Sequence, residues 1–156
     1  MRNLSDQEKR YRAERAAKKM DRARRALDAD EAREAYRQFM ERFAICEVGY
    51  KCLLADHLSD LGRTVKPGHL KIDTPQAKTV LKRASIQIHD DTFKAIFDGT
   101  KDIGKRNARG LRNSLAHQPN QEALDELIAK LPEFIKAMDA FEMAIKTAAS
   151  QEGESK

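Results

Sequence analysis

The sequence predicts an all-α helical bundle, and three observations carry that expectation. Alanine outnumbers the β-branched residues, 22 against 18 (3 Val, 9 Ile, 6 Thr), a balance that favours helix over strand. Turn punctuation is sparse, with 7 Gly and 4 Pro in 156 residues, which argues against a sandwich or a collagen-like chain. Several long stretches return apolar residues at steps of three and four, the period of a helix with one buried face. At 17.7 kDa the chain has room for one core but not two. No apolar run approaches the roughly 20 residues that span a bilayer. The basic opening MRNLSDQEKRYRAER lacks the apolar centre of a secretory signal. Cys46 and Cys52 are too few and too poorly placed for a disulfide framework, so a reducing cytoplasm is the expected setting.

Three divisions follow: a basic N-terminal helix or arm over 1–27, a helical body of about four to five core helices over 28–149, and a disordered tail over 150–156. The segment Asp6 to Leu27 is rich in Ala, Arg, Lys and Glu and has almost no large apolar residue, so it reads as a projecting or frayed helix. From about Asp30 to Leu61, Tyr36, Phe39, Phe43, Cys46, Tyr50, Leu53 and His57 mark one face, widened by Met40, Leu54, Leu58 and Leu61. Both cysteines and His57 are most simply core residues on or beside that stripe. Gly62 suits the C-cap, and RTVKPGHLKID is a loop that contains His69. Thr74-Pro75 starts a helix that Val80, Leu81, Ala84 and Ile88 extend to about His89. Asp91 or Thr92 caps a short helix through Phe93, Ile96 and Phe97, stopped at Gly99. Another helix is expected from about Lys101, through Ile103, Asn107, Leu111 and Leu115, and it should end near His117 because Pro119 disfavours helical geometry at Gln118. Asn120 caps the last helix, whose inner face is Leu124, Leu127, Ile128, Leu131, Ile135, Met138, Phe141 and Ile145. Pro132 predicts a kink or a break within it.

Charge is segregated. Residues 1–25 hold ten Lys/Arg and four Asp/Glu, whereas the whole chain is +5, so the body is near neutral. Arg10, Arg12, Arg15, Lys18, Lys19 and Arg22 are the candidate contacts for an anionic partner, nucleic acid first. The plain alternative is a solvated helix.

No phosphate-binding Gly-rich loop, CxxC pair, HExxH or GxSxG is present. The four histidines are scattered, so no metal site and no cofactor are expected. What remains is Leu111-Arg112-Asn113-Ser114-Leu115-Ala116-His117. An arginine with a histidine five to seven positions on occurs three times, at Arg63…His69, Arg83…His89 and Arg112…His117, when about one match is expected by chance. Only the third has Asn after the Arg. On a continuous helix Arg112 and His117 lie about 140° apart, while Asn113 and His117, four apart, are neighbours. A helix end that turns the imidazole, or a second copy of the motif, would complete such a site. In the bland reading Arg112 pairs with acidic groups, Asn113 faces solvent and His117 closes a helix.

The R-N-S-L-A-H run, placed where one core helix ends and the last begins, resembles the active-site motif of the HEPN superfamily: Arg, usually a polar residue, then His after four to six intervening positions. The resemblance covers the helical body and leaves the basic leader outside. It implies a homodimer whose composite cleft between protomers carries a metal-independent endoribonuclease. Small stand-alone members of the family resemble toxins of toxin–antitoxin and phage-defence systems, which implies a cognate antitoxin such as a minimal nucleotidyltransferase. Some members are inactive, so a non-catalytic module that binds nucleic acid or protein is the alternative. The chemistry suits these residue types. Histidine exchanges protons near neutral pH, and arginine offers a fixed charge and a planar fork to phosphate oxygens. Asn113 is expected in a supporting role.

Overall fold

A computed structural model of the chain describes residues 2–154, with side chains described through Gln151. It contains α1 (Asp6–Ala26), α2 (Asp30–Asp60), a 3₁₀ turn (Pro67–His69), α3 (Ala77–Arg83), α4 (Asp90–Phe97), α5 (Ala108–His117) and α6 (Gln121–Glu154). Among the described residues there is no strand, so the fold is an all-α bundle in which five helices, α2 to α6, supply most of the core. None of its helices is long and apolar enough to cross a membrane.

The two long helices run side by side in the same direction. Phe39 meets Phe134, Cys46 Sγ reaches the Met138 carbonyl, and Gly49 lies against Ile145. Arg42 pairs with Asp139 at the rim of that contact. Between them α4 inserts Phe93 and Phe97, which touch Tyr50 and Phe141. All six phenylalanines are buried in this one cluster. Each contributes about 1.5–3 kcal/mol by leaving water, and the ring pairs add about 0.5–1.5 kcal/mol each.

Helix ends follow local chemistry. Ser5 Oγ accepts from the Glu8 amide to open α1, in a Ser-x-x-Glu capping sequence. Gly62, at φ 81°, closes α2: the Arg63 amide bonds the Leu58 carbonyl and the Gly62 amide bonds that of Ser59, the paired bonds that need a left-handed residue. Asn120 Oδ1 accepts from the Ala123 amide at the start of α6, as its sequence position suggested.

Several expectations need correction. The helix expected to start at Thr74-Pro75 begins only at Ala77, after a turn over 74–76, and it ends at Arg83, short of His89. Ser85 adopts φ 57°, the Ile86 amide turns back to Leu81, and the chain reverses with Ile86 in the core and Ile88 beyond the helix. The cap of α4 is neither Asp91 nor Thr92 but His89, whose Nδ1 accepts from the Asp91 amide. Residues 101–107 are not helical, and Ile103 is exposed. Pro132 does not break α6; the core contacts of Leu127 before it and Phe134 and Met138 after it outweigh one missing backbone bond. The tail expected over 150–156 is not disordered as far as Glu154, because α6 stays helical to that point, and Ser155 and Lys156 lie outside the described residues. Of the two cysteines, Cys46 is buried as expected and Cys52 is exposed instead.

Candidate nucleic-acid and catalytic site

The candidate site is set by how α5 is held. Glu126, on α6, anchors the loop before α5: it accepts from the Gly104 and Arg106 amides at 2.8 and 3.0 Å and from Arg106 Nε at 2.9 Å. Lys130 Nζ bonds both Glu126 and the Arg106 carbonyl. Arg106 then donates to Ser114 Oγ at 3.0 Å, which ties the clamp to the centre of the R-N-S-L-A-H run. Arg106 and Glu126 side chains are each only 7% exposed. Burial would raise the Glu126 pKa, but its bonds from Gly104, Lys130 and Arg106 outweigh that and hold it below the usual carboxylate range. Gly110 lets α5 pass the preceding loop, since a Cβ there would stand 2.0 Å from the Thr100 carbonyl oxygen.

With α5 so placed, Arg112 turns toward α2. Its Nη2 donates to Glu47 Oε2 at 2.7 Å, and its guanidinium lies 4.8 Å from the Phe43 ring centroid, a cation–π arrangement. Lys51 Nζ stands 3.7 Å from the other Glu47 oxygen. The three side chains are 27%, 20% and 19% exposed for Arg112, Glu47 and Lys51. One carboxylate thus serves two cations at a half-buried surface, and the cluster carries a surplus of one positive charge. A neighbouring anion, not a further cation, satisfies that surplus.

Asn113 and His117 are both exposed. His117 is the final residue of α5. Arg112, Asn113 and His117 form no hydrogen bond or ion pair with one another among the described residues. Because α5 is regular to His117, Arg112 and His117 remain about 140° and about 7.5 Å of helical rise apart. The helix end does not turn the imidazole onto the arginine's side by breaking early.

Glu47 and Lys51 are functional candidates that motif spacing does not reveal. Glu47 is 65 positions from Arg112, so no spacing rule joins them. The only signal is local: a Glu and a Lys four apart, the sole charged residues in the stretch FAICEVGYKCLLA over 43–55.

The remaining candidates lie elsewhere. Arg10, Arg12, Arg15, Lys18, Lys19 and Arg22 are all on α1 and all exposed, without ion pairs among the described residues. At about 100° per residue, Arg12, Arg15, Lys18, Lys19 and Arg22 share one side with Tyr11, and Arg10 falls on the other. His57 is buried, with Nδ1 lacking a partner. His89 serves as a cap and His69 is exposed in its turn.

No family model matches the chain, and no curated protein or solved structure matches it either.

Proposed function

We propose that the protein is a metal-independent endoribonuclease of HEPN type, homodimeric and cytoplasmic, acting as a toxin or phage-defence effector. The observation that supports it best is the Glu47–Lys51–Arg112 cluster. It offers one spare positive charge on a half-buried surface, and its Arg112 lies on the same short helix that ends in an exposed histidine.

In this reading Arg112 and Lys51 hold the scissile phosphate, and Glu47 and Phe43 fix the direction of the guanidinium. An imidazole of His117 takes the proton of the 2′-hydroxyl as that oxygen attacks phosphorus. The P–O5′ bond breaks, and the departing 5′-oxygen receives a proton from a second imidazole. The products are a 2′,3′-cyclic phosphate and a 5′-hydroxyl. No water or other reactant enters this step, and DNA, without a 2′-hydroxyl, is not cut. Asn113, exposed one turn before His117, orients the imidazole or the phosphate.

The 140° separation calls for a second protomer. Ile45, Val48 and Cys52 recur at three and four on the outward side of α2, with Ile45 55% and Val48 69% exposed. That ridge, beside Glu47 and Lys51, is the surface on which a second copy would bring its His117 to this Arg112. Val48→Arg is expected to give a monomer by light scattering and to lose cleavage. A monomeric wild-type protein that cuts RNA would contradict the composite site.

The basic side of α1 adds sequence-independent affinity for RNA. A protein that restrains this activity, such as a minimal nucleotidyltransferase, follows from the toxin reading alone. The second reading, a helical module that binds without cutting, has its own observation: Arg112 paired with Glu47 would pin α5 to α2 whether or not chemistry occurs. Cleavage of end-labelled RNA in EDTA separates the two.

A further inference from the structure

The edge of α2 that faces α5 continues past the catalytic candidates. Glu47, Lys51, Leu54 and Leu58 follow at steps of four, three and four, and so occupy one side of the helix. Beyond Lys51 this edge opens into a cleft of about 470 Å³, floored by Leu54, Leu58 and Ile72 and bordered by Arg63, Lys71 and Arg109. Arg109 lies one turn before Arg112 on α5, so the cleft and the Glu47–Arg112 pair share both of their walls.

The charge at this cleft is unbalanced. Arg63 and Lys71 side chains have no hydrogen bond or ion pair among the described residues. Among the described residues Arg109 is engaged only through Nη1, which donates to the Phe97 carbonyl at 3.3 Å. The one carboxylate in the lining, Asp73, already accepts from Gln76 Nε2 at 2.8 Å. Its backbone carbonyl takes the Tyr50 hydroxyl at 2.6 Å, which fixes this stretch of loop against α2. Three cations around an apolar floor suit a group that joins a flat apolar body to an anion. A nucleotide of single-stranded RNA has that chemistry, with a base for the Leu54–Leu58–Ile72 floor and a phosphate for the cations.

We propose that this cleft is a second RNA subsite, which holds the strand on one side of the phosphate bound at Arg112. It rests on the reading of the Arg112 cluster as the cutting site and adds the path of the substrate. From Glu47 to Leu58 the helix rises about 16 Å, a span of a few nucleotides. The cleft therefore serves RNAs longer than a dinucleotide.

The test uses the full-length protein and a fluorescein-labelled 2′-O-methyl RNA decamer, which binds but cannot be cut because its 2′-oxygens are blocked. The variant is Arg63→Ala with Lys71→Ala, both on an exposed loop. The control is Lys78→Ala with Lys82→Ala on α3, which removes the same charge elsewhere. Anisotropy titrations are expected to show about 10-fold weaker binding for the cleft variant and a salt slope lowered by about 1.4, as the removal of two phosphate-binding cations from a single-strand site requires. The control should change affinity by no more than about 2-fold, the ordinary effect of lower net charge. A labelled 2′-O-methyl dinucleotide should bind the cleft variant as it binds wild type. Equal losses of affinity in both variants, no loss in either, or no binding of the decamer by wild type would each overturn the subsite. Parallel assays on cleavable RNA keep the two ideas apart. If His117→Ala cuts as wild type does, the cutting site falls, while the decamer result still decides whether RNA occupies the cleft.

Discussion

Arg112 and Glu47 are joined across 2.7 Å although 65 positions separate them in the chain. This bond makes one surface from the middle of α2 and the R-N-S-L-A-H run. Lys51 on the other oxygen of Glu47 means that removing the carboxylate leaves two cations facing each other. Glu47→Gln, which keeps the side-chain shape, is therefore expected to raise RNA affinity several-fold and lower kcat by about 10- to 100-fold, because a misdirected guanidinium loses its geometry. Steady-state kinetics that resolve kcat from KM check this. Equal kcat in the variant and wild type would show that Glu47 has no positioning role.

The clamp on α5 predicts a pH dependence. The Glu126 pKa is lowered in the folded protein, so its contribution is fully present above the unfolded value of about 4.3 and is lost as pH falls through the lower folded one. Thermal midpoints should drop as the pH falls from about 5 to about 3, and Glu126→Gln should flatten that drop. Glu126→Ala leaves Arg106 buried without its carboxylate and should cost about 3–5 kcal/mol in urea unfolding at neutral pH.

Gly110→Ala tests the close passage of α5 over the loop before it. A Cβ 2.0 Å from the Thr100 carbonyl oxygen cannot be accommodated by moving a side chain. Destabilisation of at least about 3 kcal/mol is expected, read from the urea midpoint. An unchanged midpoint would mean that the loop lies elsewhere.

Much of the fold is legible in the residues, and what is not has physical reasons. The long helices are readable because Phe39, Phe43, Cys46 and Tyr50, or Leu124, Leu127, Met138 and Phe141, return at the helical period and are buried on it. The helix from Thr74 reads too long because Ala84 and Ile88 keep that period, while the reversal rests on Ser85 in a left-handed conformation that no glycine announces. Ile103 and Asn107, spaced by four from Leu111 of α5, imitate an earlier start to that helix in a loop that Glu126 holds from 22 positions away. Pro132 gives the local signal for a break, and the packing of α6 on both sides overrides it. At the site, Arg112, Asn113 and His117 can be named from the sequence. Glu47 cannot be linked to them, since its partner is brought in only by the tertiary fold.

The two thiols should differ in reactivity. Cys46 is buried, and its pKa is pushed up to about 12, first by burial and then by Glu142 and Asp139. Cys52 is exposed on the outward ridge of α2. Titration of the native monomer with an aromatic disulfide in mildly alkaline buffer should modify one thiol rapidly and the second only after unfolding. Slower modification at higher protein concentration would accompany dimer formation over Val48 and Cys52. Two fast thiols at every concentration would contradict the packing around Cys46.

Within α1, only Ala26 is buried, so deleting residues 2–25 should shift the thermal midpoint of the body by no more than about 2 °C, the scale of a few tenths of a kcal/mol. The same deletion should weaken RNA binding and lower its salt slope by about 0.7 for each phosphate that α1 neutralises. A slope unchanged by the deletion would remove α1 from the RNA surface.

The most direct measurement is cleavage of a 5′-labelled RNA in EDTA by wild type, Arg112→Ala and His117→Ala, each shown to be folded by circular dichroism. Wild type should release fragments ending in 2′,3′-cyclic phosphate and leave DNA of the same sequence intact, while both variants fall at least about 100-fold in rate. Cutting that persists unchanged in His117→Ala, or an absence of cutting by wild type, would contradict a composite site built from Arg112 and His117.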